Sequence, residues 1–245
     1  MFSKRVIPVL LMDGEGLYKT HKFKKGKYIG DPINSVKIFN EKEVDELVFI
    51  DISKDKNTLP NYELLEEIAS EAFMPLAYAG GLTKIKDVER VLRLGFEKVI
   101  INSAAFNNLD LITGSVKRFG SQSIVGCIDV YKSVFGRYKI YEQKKELFSH
   151  IEDLIRAGVG ELLIQNVTRE GTYKGYDIEL MKSISERVNI PVVASGGANS
   201  LDNIREIFTN TKCTGAAVGS LFVYYGENRS VLINYPDRKT LKTLI

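Results

Sequence analysis

Eight short apolar runs recur along the chain: RVIPVLLM (5–12), ELVFID (46–51), MPLAYA (74–79), KVIINS (98–103), SIVGCID (123–129), ELLIQN (161–166), IPVVAS (190–195) and TGAAVG (214–219). They read as continuous apolar stretches closed by turn residues rather than as alternating patterns, which predicts strands buried on both faces. Between them lie amphipathic segments such as PNYELLEEIASEAF (60–73), IKDVERVLRLG (85–95) and IELMKSISERV (178–188), which predict helices. Strands alternating with helices of this length imply repeated βαβ units and a parallel sheet. Eight units in 245 residues match a (β/α)8 TIM barrel better than a doubly wound sheet. No linker or low-complexity segment divides the chain, so one domain over residues 1–245 is expected.

The pattern also repeats at half the chain length. MPLAYAGGLTKIKDVERVLRLGFEKVIINSAAF (74–106) is similar to IPVVASGGANSLDNIREIFTNTKCTGAAVGSLF (190–222), with Gly80–Gly81 falling 116 residues before Gly196–Gly197. DELVFIDI (45–52) likewise matches GELLIQNV (160–167). Such self-similarity implies two fused (β/α)4 halves and two equivalent ligand-holding ends.

Composition narrows the picture further. The chain is 44% hydrophobic and 27% charged with a net charge of +3, too mild to imply nucleic acid. No stretch approaches the roughly 18 apolar residues of a membrane span, and no apolar segment of a secretion signal follows the N-terminus. A cytoplasmic protein is expected. Cys127 and Cys213 lie in apolar strand-like runs, which implies reduced core thiols rather than a disulfide. His21 and His150 are far apart, so a histidine-based metal site has no support, and no cofactor is indicated. The basic stretch HKFKKGKY (21–28) reads either as a solvated loop or as a mobile loop over a phosphorylated ligand.

Each half then supplies a strand ending in Gly-Gly and a following strand ending in a small polar turn. These are AGG (79–81) with NSA (102–104), and SGG (195–197) with GSL (219–221). Glycine lets backbone N–H groups approach an anion closely, and the next helix aims its positive end at the same place. Two matched pairs predict phosphate binding at both ends of a long ligand.

Taken together, KRVIPVLL, GDPINSVKIFNEKEVDELVFIDI, FMPLAYAGGL, EKVIINSAAF, FGSQSIVGCIDV, REGTYKGYDIEL and IPVVASGGA resemble the cyclase subunit of imidazole glycerol phosphate synthase, HisF. The likeness runs nearly end to end. It implies that ammonia from a HisH-like glutaminase docked at the N-terminal barrel face crosses the barrel. There it would meet a bis-phosphorylated ribonucleotide at the C-terminal face and close its imidazole ring. By the same resemblance the phosphate-binding positions are Gly81, Asn102, Ser103, Gly171, Gly197, Gly219 and Ser220. The catalytic acid/base that ends strand 5 is Asp129, and the charged ring gating the ammonia entrance is Arg5, Glu46, Lys98 and Glu161.

The chain departs from the family on the reaction face. The second catalytic aspartate of the family, at the end of strand 1, falls on Leu11. A leucine neither takes nor gives a proton, and general acid–base catalysis typically contributes about 10²–10⁴-fold. Asp13 is two residues on but already in the turn. Family aspartates near strand 6 appear as Thr168 and Glu170, and VYKSVFGRYKIYEQKK after Asp129 lacks the family's glycine-rich, threonine-containing loop.

LLMDG, KTHKFKK, YIGDPINSVKIFNEKEVDEL and the tail SLFVYYGENRSVLINYP resemble a HisF-like subgroup of surface-polysaccharide gene clusters, associated with acetamidino modification of sugars. That likeness implies a barrel that passes ammonia to a separate sugar-modifying amidotransferase. Two functions stay open at this level: delivery of ammonia for amidine formation, and ring closure in histidine biosynthesis. A non-catalytic subunit holding a regulatory phosphorylated ligand is a third.

Overall fold

The computed structural model describes residues 3–53, 59–226 and 228–244, with the side chain of Lys25 outside that description. Its central sheet contains eight parallel strands: β1 (Arg5–Asp13), β2 (Leu47–Asp51), β3 (Leu76–Ala79), β4 (Lys98–Ile101), β5 (Ile124–Lys132), β6 (Glu161–Asn166), β7 (Val192–Ser195) and β8 (Gly215–Val218). Neighbours in this order pair with one another, and β8 returns to pair with β1 through Arg5↔Gly215 and Val6↔Ala216. The sheet is therefore a closed (β/α)8 barrel. Closure removes the edges that an open sheet would expose.

Helices follow the strands as the amphipathic segments predict: α1 (Pro32–Glu41), α2 (Tyr62–Glu71), α3 (Ile85–Arg93), α4 (Leu109–Phe119), α5 (Leu147–Ala157), α6 (Ile178–Ser185), α7 (Leu201–Asn210) and α8 (Arg238–Lys242). Their starts carry local signals. Asp31 caps α1 by accepting from the N–H of Asn34, with Pro32 in the first turn, and Asn61, Asp177 and Ser200 cap α2, α6 and α7 in the same way. A capping side chain satisfies an N–H that the helix leaves unpaired.

Strand residues of one parity face the helices and the other parity faces inward. The outer layer buries Phe39, Phe49, Leu65 and Tyr78 among many others. The barrel interior is a separate cluster of Ile7, Val9, Val48, Ala77, Ala79, Ile100, Val125, Cys127, Leu163, Val193 and Ala217. Both cysteines are unpaired and buried. Among the described residues no helix is long and apolar enough to cross a membrane.

The two halves match in backbone detail. One-turn helices follow β4 (Ser103–Asn107) and β8 (Ser220–Val223). The residues before them adopt nearly the same conformation, Asn102 at φ −119, ψ −92 and Gly219 at φ −100, ψ −86. A Cβ on Gly80 would lie 2.5 Å from Cβ of Asp51 at the end of β2, and one on Gly196 would lie 2.6 Å from the carbonyl oxygen of Asn166 at the end of β6. The first glycine of each pair is thus required by close passage of the preceding strand's end.

Two segments differ from the sequence reading. HKFKKGKY is solvent-exposed as read, but it is part of a hairpin rather than a loop: Lys24–Gly30 is a strand, paired antiparallel with Gly16–His21, and that strand in turn pairs with β1 through Leu11↔Tyr18. The turn at Lys22 and Phe23 takes positive φ at both residues (52° and 61°) without the glycine or asparagine that usually marks such turns, which hid the hairpin. Tyr18 and Tyr28 meet edge to face at 5.6 Å across it. The second difference follows Asp129. There β5 continues to Lys132 and is met by the antiparallel strand Tyr138–Ile140.

Candidate functional site

At the N-terminal end of the barrel four charges converge. Arg5 and Lys98 begin β1 and β4, Glu161 begins β6, and Glu46 immediately precedes β2. Arg5 pairs with Glu46 through Nη1 and with Glu161 through Nη2. Lys98 Nζ lies 3.0 Å from Glu46 and 2.9 Å from Glu161. Each cation therefore touches both acids, and the ring closes on itself. Both carboxylates are buried. Burial pulls the Arg5 guanidinium down, but Glu161 and Glu46 outweigh it and hold its pKa above the ordinary value. Buried charges persist only when paired in this way.

Apolar and small side chains fill the barrel above the ring, ending at the C-terminal mouth. Leu11 and Asp129 both lie there, on β1 and β5, four strands apart and so across the barrel from each other. Leu11 packs on the interior cluster with Ile50. Asp13 is exposed and pairs with Gly16 at the base of the hairpin. Asp129 is half-buried and accepts a hydrogen bond from Asn102 Nδ2 at 2.7 Å. Burial raises its carboxyl to about 6, opposed by the Asn102 bond and reinforced by the charge of Glu142. An acid poised there suits proton transfer near neutral pH.

The structure sorts the candidate phosphate residues into two clusters and one outlier. Gly81, Asn102 and Ser103 lie on the adjacent turns after β3 and β4, while Gly197, Gly219 and Ser220 lie on those after β7 and β8. Gly171 sits instead in the segment after β6, beneath the hairpin, where a Cβ would come within 2.8 Å of the Thr20 carbonyl oxygen. Glu170 next to it is buried and pairs with Lys19, also buried. Its Oε2 accepts from the N–H of Phe23 at 3.2 Å, and its carbonyl accepts from that of Lys22 at 3.1 Å. Thr168 accepts from the N–H of Lys132 at 3.2 Å.

Sequence reasoning missed Lys19 and the fastening of the hairpin by Glu170. Leu17 and Lys19 are buried at a spacing of two, the period of a strand, but a charged residue on the buried parity of GLYKTH gives the sequence no alternation to read. Lys19 faces the β8 turn: its Nζ lies 3.8 Å from where a Cβ on Gly219 would stand.

A closed (β/α)8 barrel with a charged ring at one end and paired glycine turns at the other defines the class. Within it, the histidine biosynthesis protein family matches residues 5–229, and the chain belongs to that family. A Pseudomonas aeruginosa protein provisionally named imidazole glycerol phosphate synthase subunit hisF2 is 45% identical over 244 residues, spanning 97% of each chain. A Vibrio vulnificus protein provisionally named subunit hisF3 is 46% identical over 245 residues, 97% of this chain and 94% of its own. The imidazole glycerol phosphate synthase subunit HisF of Streptococcus sanguinis is 32% identical over 236 residues, 93% of this chain and 92% of its own.

Proposed function

We propose that the chain is the ammonia-receiving synthase subunit of a HisF-type amidotransferase complex. In this reading a HisH-like glutaminase docks at the ring face, and nitrogen is delivered to an acceptor at the mouth. Arg5, Glu46, Lys98 and Glu161 form the entrance, and the two glycine-turn clusters hold a phosphorylated ligand. The interior between them is apolar. Burying an unpaired ammonium ion there costs far more than burying neutral ammonia, so the traffic is NH3.

The nitrogen acceptor we propose is a surface-polysaccharide sugar, amidinated through a separate sugar-modifying amidotransferase. One observation carries this reading: Leu11 faces the mouth opposite Asp129, so the acid/base pair that the resemblance implies has one member. A second reading, ring closure of a bis-phosphorylated ribonucleotide in histidine biosynthesis, is supported by the family description and by the relatives' names. Complementation of a strain lacking its histidine cyclase separates the two. Under the first reading the strain stays auxotrophic, and deleting this gene from its own host removes amidine groups from the polysaccharide. Growth without histidine supports the second.

A further inference from the structure

The hairpin after Asp129, formed by β5 and Tyr138–Ile140, ends in two apolar residues that face solvent. Val134 and Phe135 are 96% and 89% exposed. Their turn is nonetheless closely hydrogen-bonded. The Ser133 N–H donates to the Arg137 carbonyl at 2.8 Å, and the Gly136 N–H donates to the Ser133 carbonyl at 2.9 Å. The Arg137 N–H donates back to Ser133 Oγ at 3.1 Å. Below the turn, Tyr138 Oη donates to Asp177 Oδ1 at 2.9 Å and Lys132 pairs with Glu179 at 2.9 Å, which ties the hairpin to the start of α6. A free loop gains by folding back over apolar side chains. This one is braced and holds them out.

Cations flank this tip. Arg137 and Lys139 on the same hairpin are exposed, as are Lys22 and Lys24 on the β1 hairpin. Phe23, between those two lysines, meets the Tyr141 ring edge to face at 5.6 Å, so the two hairpins present one surface beside the mouth. A second copy of the chain docked through it would set cation against cation. An anionic bilayer would be repelled by Asp13, Glu15 and Glu142, which are exposed at the same end of the barrel. A protein surface can answer charges of both signs.

We infer that Val134 and Phe135 anchor a second protein over the mouth, filling an apolar pocket on it whose acidic rim meets Arg137, Lys139, Lys22 and Lys24. Two adjoining apolar side chains held out in advance lose little freedom on binding, as the central anchor of an interface requires. The partner is the sugar-modifying amidotransferase of the reading above, on which this inference rests. Ammonia that leaves the apolar interior into open water takes up a proton, and the ammonium ion has no lone pair with which to attack an acceptor. A partner seated on the hairpin keeps that water out, so the anchor gives the delivery step its seal. The cations around it steer an acidic face toward the mouth and set its orientation.

The test measures binding of the whole protein, assembled with its glutaminase, to the purified amidotransferase that amidinates the sugar, with thermal melts in parallel. Wild type should bind one to one, and more weakly as salt rises. Val134→Ser combined with Phe135→Ser should weaken binding about tenfold or more, the loss expected for an interface anchor. Its melting temperature should not fall, because both side chains already stand in solvent. Arg137→Glu should slow association and flatten its salt dependence. In both variants glutamine-dependent amidination should fall while glutamine hydrolysis by the assembled complex is kept. Wild-type affinity in the double variant would overturn the anchor, and amidination kept by wild type would leave ammonia delivery standing. Neither binding nor glutamine-dependent amidination by wild type would overturn both the docking and the reading beneath it. Wild type that sediments with phosphatidylglycerol vesicles, where the double variant does not, would overturn the proposal in favour of a lipid surface. A wild-type dimer that the double variant splits would overturn it in favour of self-association.

Discussion

Asn102 Nδ2 donates to Asp129 Oδ2 across 2.7 Å, joining the ends of the adjacent strands β4 and β5 at the mouth. Asn102 thereby serves two positions at once, the turn before the Ser103 helix and the carboxyl group across from Leu11. Burial moves that carboxyl from 3.8 to about 6. A carboxyl whose folded pKa lies above its unfolded one binds more protons when folded, so stability falls as pH rises through this window. Asp129→Asn should therefore melt higher than wild type above pH 6. The difference should vanish near pH 4, as read from melts across pH. A gap independent of pH would show that the carboxyl is not held protonated by burial.

The same bond sets the direction of a second change. Removing the donor takes away an interaction that favours the charged carboxylate. In Asn102→Ala the Asp129 carboxyl should titrate above its wild-type value of about 6, measured by carbon NMR of the side-chain carboxyl. A titration at or below the wild-type value would mean that solvent replaces the lost amide.

Replacing Leu11 with Asp puts a second acid across from Asp129. Cyclisation of the bis-phosphorylated ribonucleotide with ammonium salt should rise, but only partly, because Thr168, Glu170 and the hairpin after Asp129 also differ from the family pattern. Recovery of a full cyclase rate by this one change would assign the whole difference to residue 11.

Lys98→Met keeps the packing of the aliphatic stem but leaves Glu46 and Glu161 with Arg5 alone. Breaking a buried pair typically costs about 3–5 kcal/mol, and the 18% exposure of the Lys98 side chain places the expected loss near the lower end. If ammonia enters through the ring, glutamine-dependent activity of the assembled complex should fall more than activity with free ammonium salt. Equal loss from both nitrogen sources, in step with melting temperature, would make the ring purely structural.

Glu170→Gln should loosen the hairpin over the mouth. Lys19 loses its buried partner, and the amide of Phe23 keeps only a weaker neutral acceptor. Hydrogen exchange at Lys22 and Phe23 should speed up at least tenfold while the barrel strands stay protected. Unchanged exchange there would show that the Phe23–Tyr141 contact at 5.6 Å suffices to hold the hairpin.

The barrel itself was legible in the residues because each of its strands is buried on both faces, so burial is written as one contiguous run such as KVII or VVAS. The internal repeat was legible for a related reason: Gly80 and Gly196 answer the same steric demand at equivalent points of the two halves. The four ring positions could be placed at one end because strand starts share one face of a parallel barrel. Contacts between distant segments were not legible. The Lys19–Glu170 pair joins residues 151 apart, and it forms only after closure brings the segment after β6 beneath the hairpin on β1. The same closure turns Leu11 rather than Asp13 toward the mouth, since pairing with Gly16 draws Asp13 into the exposed base of the hairpin. Tyr173 shows the limit most plainly. Residue order makes it an ordinary loop tyrosine, and only packing against Ser220 and Arg229 encloses its hydroxyl, because burial is a property of neighbours in space.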